Sequence, residues 1–469
     1  MKTHPVIDVD GHHLEFLPAL DAYLEKRMGS EKFRRWIAKQ KATASSLEDR
    51  IFSRKAKPGW WTGPPVSETR DRAAAAFPGL LVYRLDELEI DFMILYTSVG
   101  LGTLVDADDA IRIAFCEALN EFYAEYYFGF AERLTTAGLI PMFTPEEALV
   151  EIEHCYKLGY KVVQLSPGVP RPIPQVHAID TSLYPTVYWL DTFGIDSKYN
   201  YDVVWQRLTE LGFSVTFHGH SAIAASTKAS RSVTNYVFNH IGAHGSLMSE
   251  LCKSIILGGV NTRFPSLNFA FLEGGVHWAC GLLNDFIEHW EKRNVVEIQK
   301  YDPRNVELRI LKDLGHKWGG ALVSSPSYLD SGVFANRREG IRGDWAEPNQ
   351  RDDFISCNIS EINDIARLFT NLYFGCEADD RSVGLAFNPT NELNLRLHAM
   401  FSSDYGHWDA GQPEKLVSAS RKMVDQELMT ADDFRTFTSE NVIALHGRNN
   451  PDFWKGTSVE KYAEKVLRG

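Results

Sequence analysis

No apolar run in the 469 residues approaches the roughly 18 that a membrane span needs, so a membrane is not expected as a partner. Cysteine is sparse. The six, at positions 116, 155, 252, 280, 357 and 376, form no CxxC pair and lie mostly in apolar context, as expected of reduced core thiols in a cytoplasmic protein. Basic charge is in deficit, with 49 Lys and Arg against 62 Asp and Glu and a net charge of −13, which argues against nucleic acid as a partner. The opening MKTHPVIDVDG lacks an apolar core of signal-peptide length, so no leader is expected. No fixed-period repeat or low-complexity tract is visible. After the first apolar stretch there is no glycine-rich phosphate turn, which sets aside an open dinucleotide-binding sheet.

What stands there instead is Val6-Ile7-Asp8-Val9-Asp10-Gly11-His12-His13, a β-branched strand running into carboxylates and imidazoles. In an extended strand Asp8, Asp10 and His12 share one face. From Leu85 onward strands and helices alternate. FMILYTSVG, TAGLIPM, YKVVQLSPG, FSVTFHGH, LNFAFLEGG, LYFGCE and LRLHAMFSSD read as strands, each followed by helix or loop. Thr144-Pro145-Glu146-Glu147 opens a helix that runs to about Gly159. With the first strand these make eight, the signature of an α/β fold of the (β/α)8 or TIM-barrel type. We expect one barrel domain over residues 1–469, with long βα-loop insertions at about 41–80, 169–198 and 296–360. The first insertion carries KPGWWTGPP, and its Trp60-Trp61 pair suits a lid over the barrel mouth.

Chemistry in such barrels sits where strands end. The strand ends offer Asp10 and His12, then His218 with His220 two residues on, then Glu273, Glu377 and Asp404. No lysine or arginine is in this set, which predicts one metal centre held by Asp10, His12, His218, Glu273 and Asp404. Asp404 would also move a proton, and His220 would contact or protonate substrate. Asp8, deeper in the strand, is expected to support the ligands by hydrogen bonding. Glu377 and Asp379 fit a solvent-facing acidic cluster better than a ligand set.

DGH at 10–12, FHGH at 217–220, FLEGG at 271–275 and SSDYGHWD at 402–409 resemble the amidohydrolase superfamily. The likeness is to the amidohydrolase-2 branch, which contains aminocarboxymuconate-semialdehyde decarboxylase. It extends over essentially the whole chain outside the three insertions. It implies a divalent ion, zinc by default with manganese or iron(II) as alternatives, in one or two copies, and a small-molecule substrate. It also implies a homodimer. Two positions depart from the branch pattern. The first ligand is Asp10 rather than histidine, and the strand-six position, a catalytic histidine in the decarboxylases, is Glu273. A decarboxylase must protonate the carbon that loses carbon dioxide, and an ionised carboxylate is poorly suited to that. The expected activity is therefore metal-dependent hydrolysis of a carbonyl-type carbon, with non-oxidative decarboxylation as the alternative.

His240 and His244 stand four apart in NHIGAHG, but no glutamate flanks them as in HExxH. They are expected to line the pocket at most, and His277 and His407 to be core or rim residues.

Overall fold

The structure, a computed structural model, describes residues 3–41, 48, 63–184, 187–219, 231–301, 305–326 and 352–468. Trp60, Trp61 and His220 lie outside the described residues. Eight parallel strands carry the fold. They are β1 (Ile7–His12), β2 (Phe92–Tyr96), β3 (in two pieces, Leu134–Thr136 and Gly138–Leu139) and β4 (Val162–Leu165). Then follow β5 (Ser214–Phe217), β6 (Phe269–Phe271), β7 (Leu372–Glu377) and β8 (His398–Ser402). The first piece of β3 pairs with β2 and the second with β4, so one strand joins the two ladders. Ala137 N donates to Leu95 O at 3.0 Å and Ile140 N to Gln164 O at 3.0 Å across that join. The ring closes between β8 and β1, where Asp404 N donates to Asp10 O at 3.0 Å and His12 N to Tyr405 O at 2.7 Å. This is a (β/α)8 barrel.

The strands are short apolar runs rather than alternating ones because both faces are covered, as in FMILY, where all five residues are buried. The helices between them carry ordinary signals. Thr144 accepts a hydrogen bond from Glu147 N, Pro145 occupies the first turn, and Gly159 ends the helix Pro145–Leu158 in the left-handed region at φ 96°. Residues after β1 form two helices, Leu17–Met28 and Ser30–Lys41, parted at Gly29 with φ 82°. Part of the 169–198 insertion forms an antiparallel hairpin of Val169–Pro172 with Tyr188–Asp191.

The C-terminal helix Asn441–Gly447 docks where strands begin. Ser214 Oγ and Asn268 Nδ2 both donate to Leu445 O, at 3.0 and 2.8 Å, and Asn441 Nδ2 donates to Ala399 O at 2.8 Å. Val442, Leu445, Phe453 and Trp454 join Ile7, Val9, Ala270 and Met400 in one buried cluster. This end is sealed by packing, which leaves the other end for chemistry. The chain divides into two compact units, Met1–Leu282 with Ala366–Gly469, and Leu283–Ile365. The first holds the whole barrel. The second covers the insertion expected at 296–360 and includes the helix Leu308–Trp318. Among the described residues no helix is long and apolar enough to cross a membrane.

Candidate metal centre

β1 does not run straight into the site. Its register against β2 slips between Asp8 and Gly11, a bulge that redirects the strand end. Gly11 leaves room there for Met93, whose Sδ would stand 2.6 Å from a Cβ and would have to move aside for any larger residue. Asp8 reaches across to β8, accepting hydrogen bonds from Ser403 N at 2.9 Å, from Ser403 Oγ, and from Asp10 N at 3.2 Å. It thus clasps the first strand to the last. His13, the second histidine of the motif, turns into the core, where it bonds Thr136 Oγ1 at 2.9 Å and stacks on Tyr123.

Asp10, His12, His218, Glu273 and Asp404 converge from β1, β5, β6 and β8. His12 Nε2 stands 3.5 Å from Asp10 Oδ1 and 3.2 Å from Asp404 Oδ1. His218 Nε2 stands 3.6 Å from Asp10 Oδ1 and 3.4 Å from Glu273 Oε2. Two donors on one tetrahedral ion with bonds of about 2.0–2.2 Å are about 3.4 Å apart, so this spacing is that of a shared cation rather than of direct hydrogen bonds. Asp10 Oδ1 and both ring nitrogens of His218 are buried with no hydrogen-bond partner among the described residues. Burial pushes the Asp10 carboxyl well above its usual range, and the neighbouring Asp404 and Glu273 push it further. Burial likewise drives His218 down to about 3, so it stands as a neutral imidazole with a lone pair to give. The residues fit a divalent ion, which would supply the missing positive charge and the missing partners at once.

Glu273 and Asp404 both sit in the left-handed region, at φ 58° and 50°. Strain of this kind persists where the surroundings force it, and here it turns each carboxylate off its strand end toward the centre. A second layer holds these side chains. His407 Nδ1 lies 2.9 Å from Asp404 Oδ1, its ring stacks on His12 at 3.6 Å, and its Nε2 bonds Ser98 Oγ at 3.1 Å. His244 Nδ1 lies 3.0 Å from Glu273 Oε2, and His240 Nε2 lies 3.8 Å from Asp409 Oδ2. A cavity of about 300 Å³ opens over these groups, walled by Leu14, Leu17, Val99, Leu101, Tyr236 and Trp408. Gly63, the described edge of the first insertion, packs against Leu14, where a Cβ would stand 3.0 Å from Leu14 Cδ1.

The structure brings ligand atoms of Asp10, His12 and His218 within 4.8 Å of one another, and Asp404 and Glu273 adjoin them through His12 and His218. His220 lies outside the described residues, and Glu377 ends β7 without joining any group close enough to share an ion. His407, expected at the core or rim, stands inside the cluster. Gly406 is the signal that could have shown it. Its φ of 108°, with a Cβ that would meet His12 O at 2.4 Å, folds the segment back onto β1. His240 and His244 both reach the pocket, though from different helices. Gly242, at φ 65°, separates Tyr236–His240 from Ala243–Leu257. Asp409 was not singled out from the sequence at all.

Several solved structures share the architecture. An amidohydrolase from Mycobacterium avium subsp. paratuberculosis K-10 matches 95% of this chain and 100% of its own at 18% identity, with a TM-score of 0.53. A dihydroxybenzoic acid decarboxylase from Polaromonas sp. JS666, with bound manganese and 2-nitroresorcinol, covers 97% of this chain and 100% of its own at 13% identity, with a TM-score of 0.49. The 5-carboxyvanillate decarboxylase from Sphingomonas paucimobilis covers 95% and 99% at 13% identity, with a TM-score of 0.47. At 18% identity the first of these speaks for the fold alone, and the other two carry no argument. No curated protein matches the chain. The sequence profile of the family described as Amidohydrolase matches residues 12–309, a range that includes His12, His218 and Glu273, and the chain belongs to that family.

Proposed function

We propose that the centre is that of a metal-dependent hydrolase acting on a small, uncharged, carbonyl-containing molecule with an apolar or aromatic part. The observation that carries this is the charge of the cavity. Glu15, Glu273 and Asp409 line it, Asp404 adjoins Glu273 and Asp409, and no lysine or arginine is among the described residues that line it. Against these carboxylates the lining would set only the bound ion and its histidines, so a carboxylate substrate would be held less favourably than an uncharged lactone, ester or amide. A divalent ion held by Asp10, His12, His218 and Asp404, with Glu273 alongside, would supply Lewis acidity, polarising the carbonyl and acidifying a water molecule. Zinc suits the two imidazoles and manganese the three carboxylates, so both are candidates.

Asp404 is placed to take the proton of the attacking water and return it to the leaving group, so that a C–O bond forms, the acyl bond breaks and no external acid is consumed. His407 fixes that carboxylate from one side and is itself fixed by Ser98. The apolar wall of Leu14, Leu17, Val99 and Leu101 would hold the non-reacting part and exclude water. Decarboxylation is kept as a second reading because of one contact. His244, 3.0 Å from Glu273 and lining the cavity, is an imidazole that could protonate a substrate carbon there.

Turnover in ¹⁸O-labelled water, with carbon dioxide monitored, separates the two. The panel would hold aryl lactones, esters and amides beside hydroxybenzoates. Label in the product without carbon dioxide is the expected result. Stoichiometric carbon dioxide without label would replace the hydrolase by the carboxy-lyase.

A further inference from the structure

The apolar wall of the cavity holds one carboxylate to which no step above gives a task. Glu15 lines the cavity beside Leu14, Leu17, Val99 and Leu101, and it joins no group of described residues close enough to share an ion. Its Oε1 accepts four hydrogen bonds, from Tyr123 Oη at 2.5 Å, Thr97 Oγ1 at 3.0 Å, Ser98 N at 3.0 Å and Val99 N at 3.3 Å. Tyr123 and Thr97 are fully buried, so this oxygen is held against the core. Fixing the loop after β2 needs Oε1 alone. Oε2 takes no hydrogen bond from another described residue, and it is the oxygen left for the cavity. A carboxylate oxygen on an apolar wall is costly without a donor, and the described lining offers it no lysine or arginine. Ser98 ties this carboxylate to the metal end. Its N donates to Glu15, while its Oγ donates to His13 O at 2.6 Å and lies 3.1 Å from Nε2 of His407, the histidine against Asp404.

We propose that Glu15 is a specificity-determining residue whose Oε2 receives a hydroxyl or uncharged amino group on the non-reacting part of the substrate. The inference rests on the hydrolase reading and narrows its substrate class to a lactone, ester or amide that carries an O–H or N–H donor away from the bond that breaks. An ionised carboxylate only accepts hydrogen bonds, so an ether oxygen in the same place would set lone pair against lone pair. A wholly apolar group there would cover Oε2 and strip its water without replacing it. A site built to hydrogen-bond a substrate hydroxyl rejects the analogue that lacks it for this reason. The four bonds to Oε1 fix the direction of the acceptor before any ligand arrives, which makes the wall selective rather than merely greasy.

The full chain loaded with Zn2+ would be titrated, by tryptophan fluorescence, with aryl hydroxamic acids of graded chain length bearing a hydroxyl, amino or methoxy group on the ring. The hydroxamate engages the ion, so binding is read independently of turnover. At one chain length the hydroxyl and amino members should bind about tenfold to hundredfold more tightly than the methoxy member. Glu15→Leu should abolish that difference. Glu15→Gln keeps an oxygen for the same four donors and turns an NH2 group to the cavity, which covers the case in which leucine disturbs folding. There the difference should vanish or reverse in favour of methoxy. Equal affinities at every length in the unaltered protein, or a difference that survives the substitutions, would overturn the role of Glu15 and leave the hydrolase reading standing. No binding of any hydroxamate to the loaded protein would overturn the metal-dependent reading and this inference with it.

Discussion

Asp404 has to face three groups with one carboxylate, and this sets what its replacement can tell. It stands 3.2 Å from His12, 2.9 Å from His407 and across the centre from Asp10. Asp404→Asn preserves the shape and one oxygen but removes the proton acceptor. Turnover is expected to fall by at least about 10²-fold while metal content changes little. Unaltered turnover in the metal-loaded variant would remove the shuttle role. A different histidine contributes to acid stability. His446 is fully buried, stacks on Phe453 with ring centroids 4.4 Å apart, and is driven by burial from 6.5 down to about 3. The unfolded chain binds that proton below pH about 6.5 and the folded chain does not until pH about 3. Stability is therefore lost as pH falls through that window, at about 1.4 kcal/mol per pH unit. His446→Phe, which keeps the stack, should lose less stability between pH 7 and pH 5 in urea unfolding. Equal losses in the two proteins would show that His446 is not the linked group. Which residues matter was legible only where a strand end announced them. Asp10, His12, His218, Glu273 and Asp404 could be read because the period of a strand and the end of a barrel fix their direction. His407, His244 and Asp409 could not, since loops and a helix start deliver them.

At the scale of elements, the site depends on how the last strand leaves the barrel. β8 is followed by Ser403, Asp404 and Tyr405, and the chain reverses at Gly406 so that His407 returns over His12. Gly406→Ala would put a methyl 2.4 Å from His12 O at a φ of 108°. We expect a loss of about 1–3 kcal/mol together with weaker metal affinity, because the clash falls on a ligand's own backbone. Isothermal titration with Zn2+ and thermal melting measure the two effects. Affinity equal to that of the parent protein would show that the loop relaxes without moving His12. Ser403→Ala tests the opposite side of the same junction by removing the hydroxyl that donates to Asp8. It should cost about 1–3 kcal/mol, since Asp8 is fully buried and loses a charged-group hydrogen bond. The order of elements was readable from hydrophobic period and caps, as at Thr144. The bulge in β1 was not, because a one-residue slip leaves no mark in composition.

For the whole molecule, the ion and the barrel should stabilise one another. Chelator-stripped protein retains clustered, buried carboxylates with no compensating charge. Its melting temperature is expected to fall well below that of the loaded form, by the equivalent of about 4 kcal/mol when metal is present at about a thousand times its dissociation constant. Melting that is insensitive to chelator would contradict a bound ion at Asp10 and Asp404. The eight-strand count could be made from the sequence because each strand is a separate apolar run. The two-unit division could not, since nothing in the 296–360 composition marks it as a unit of its own. The junction of β1 with β8 has one more consequence, and it concerns timing. Two of the five proposed ligands, Asp10 and His12, lie within the first dozen residues and Asp404 near position four hundred, paired backbone to backbone across that span. A ribosome must therefore finish nearly the whole chain before the centre can exist. Until then Asp10 and His12 wait on an unclosed sheet, and a nascent chain stalled before β8 has no complete cage in which to retain metal.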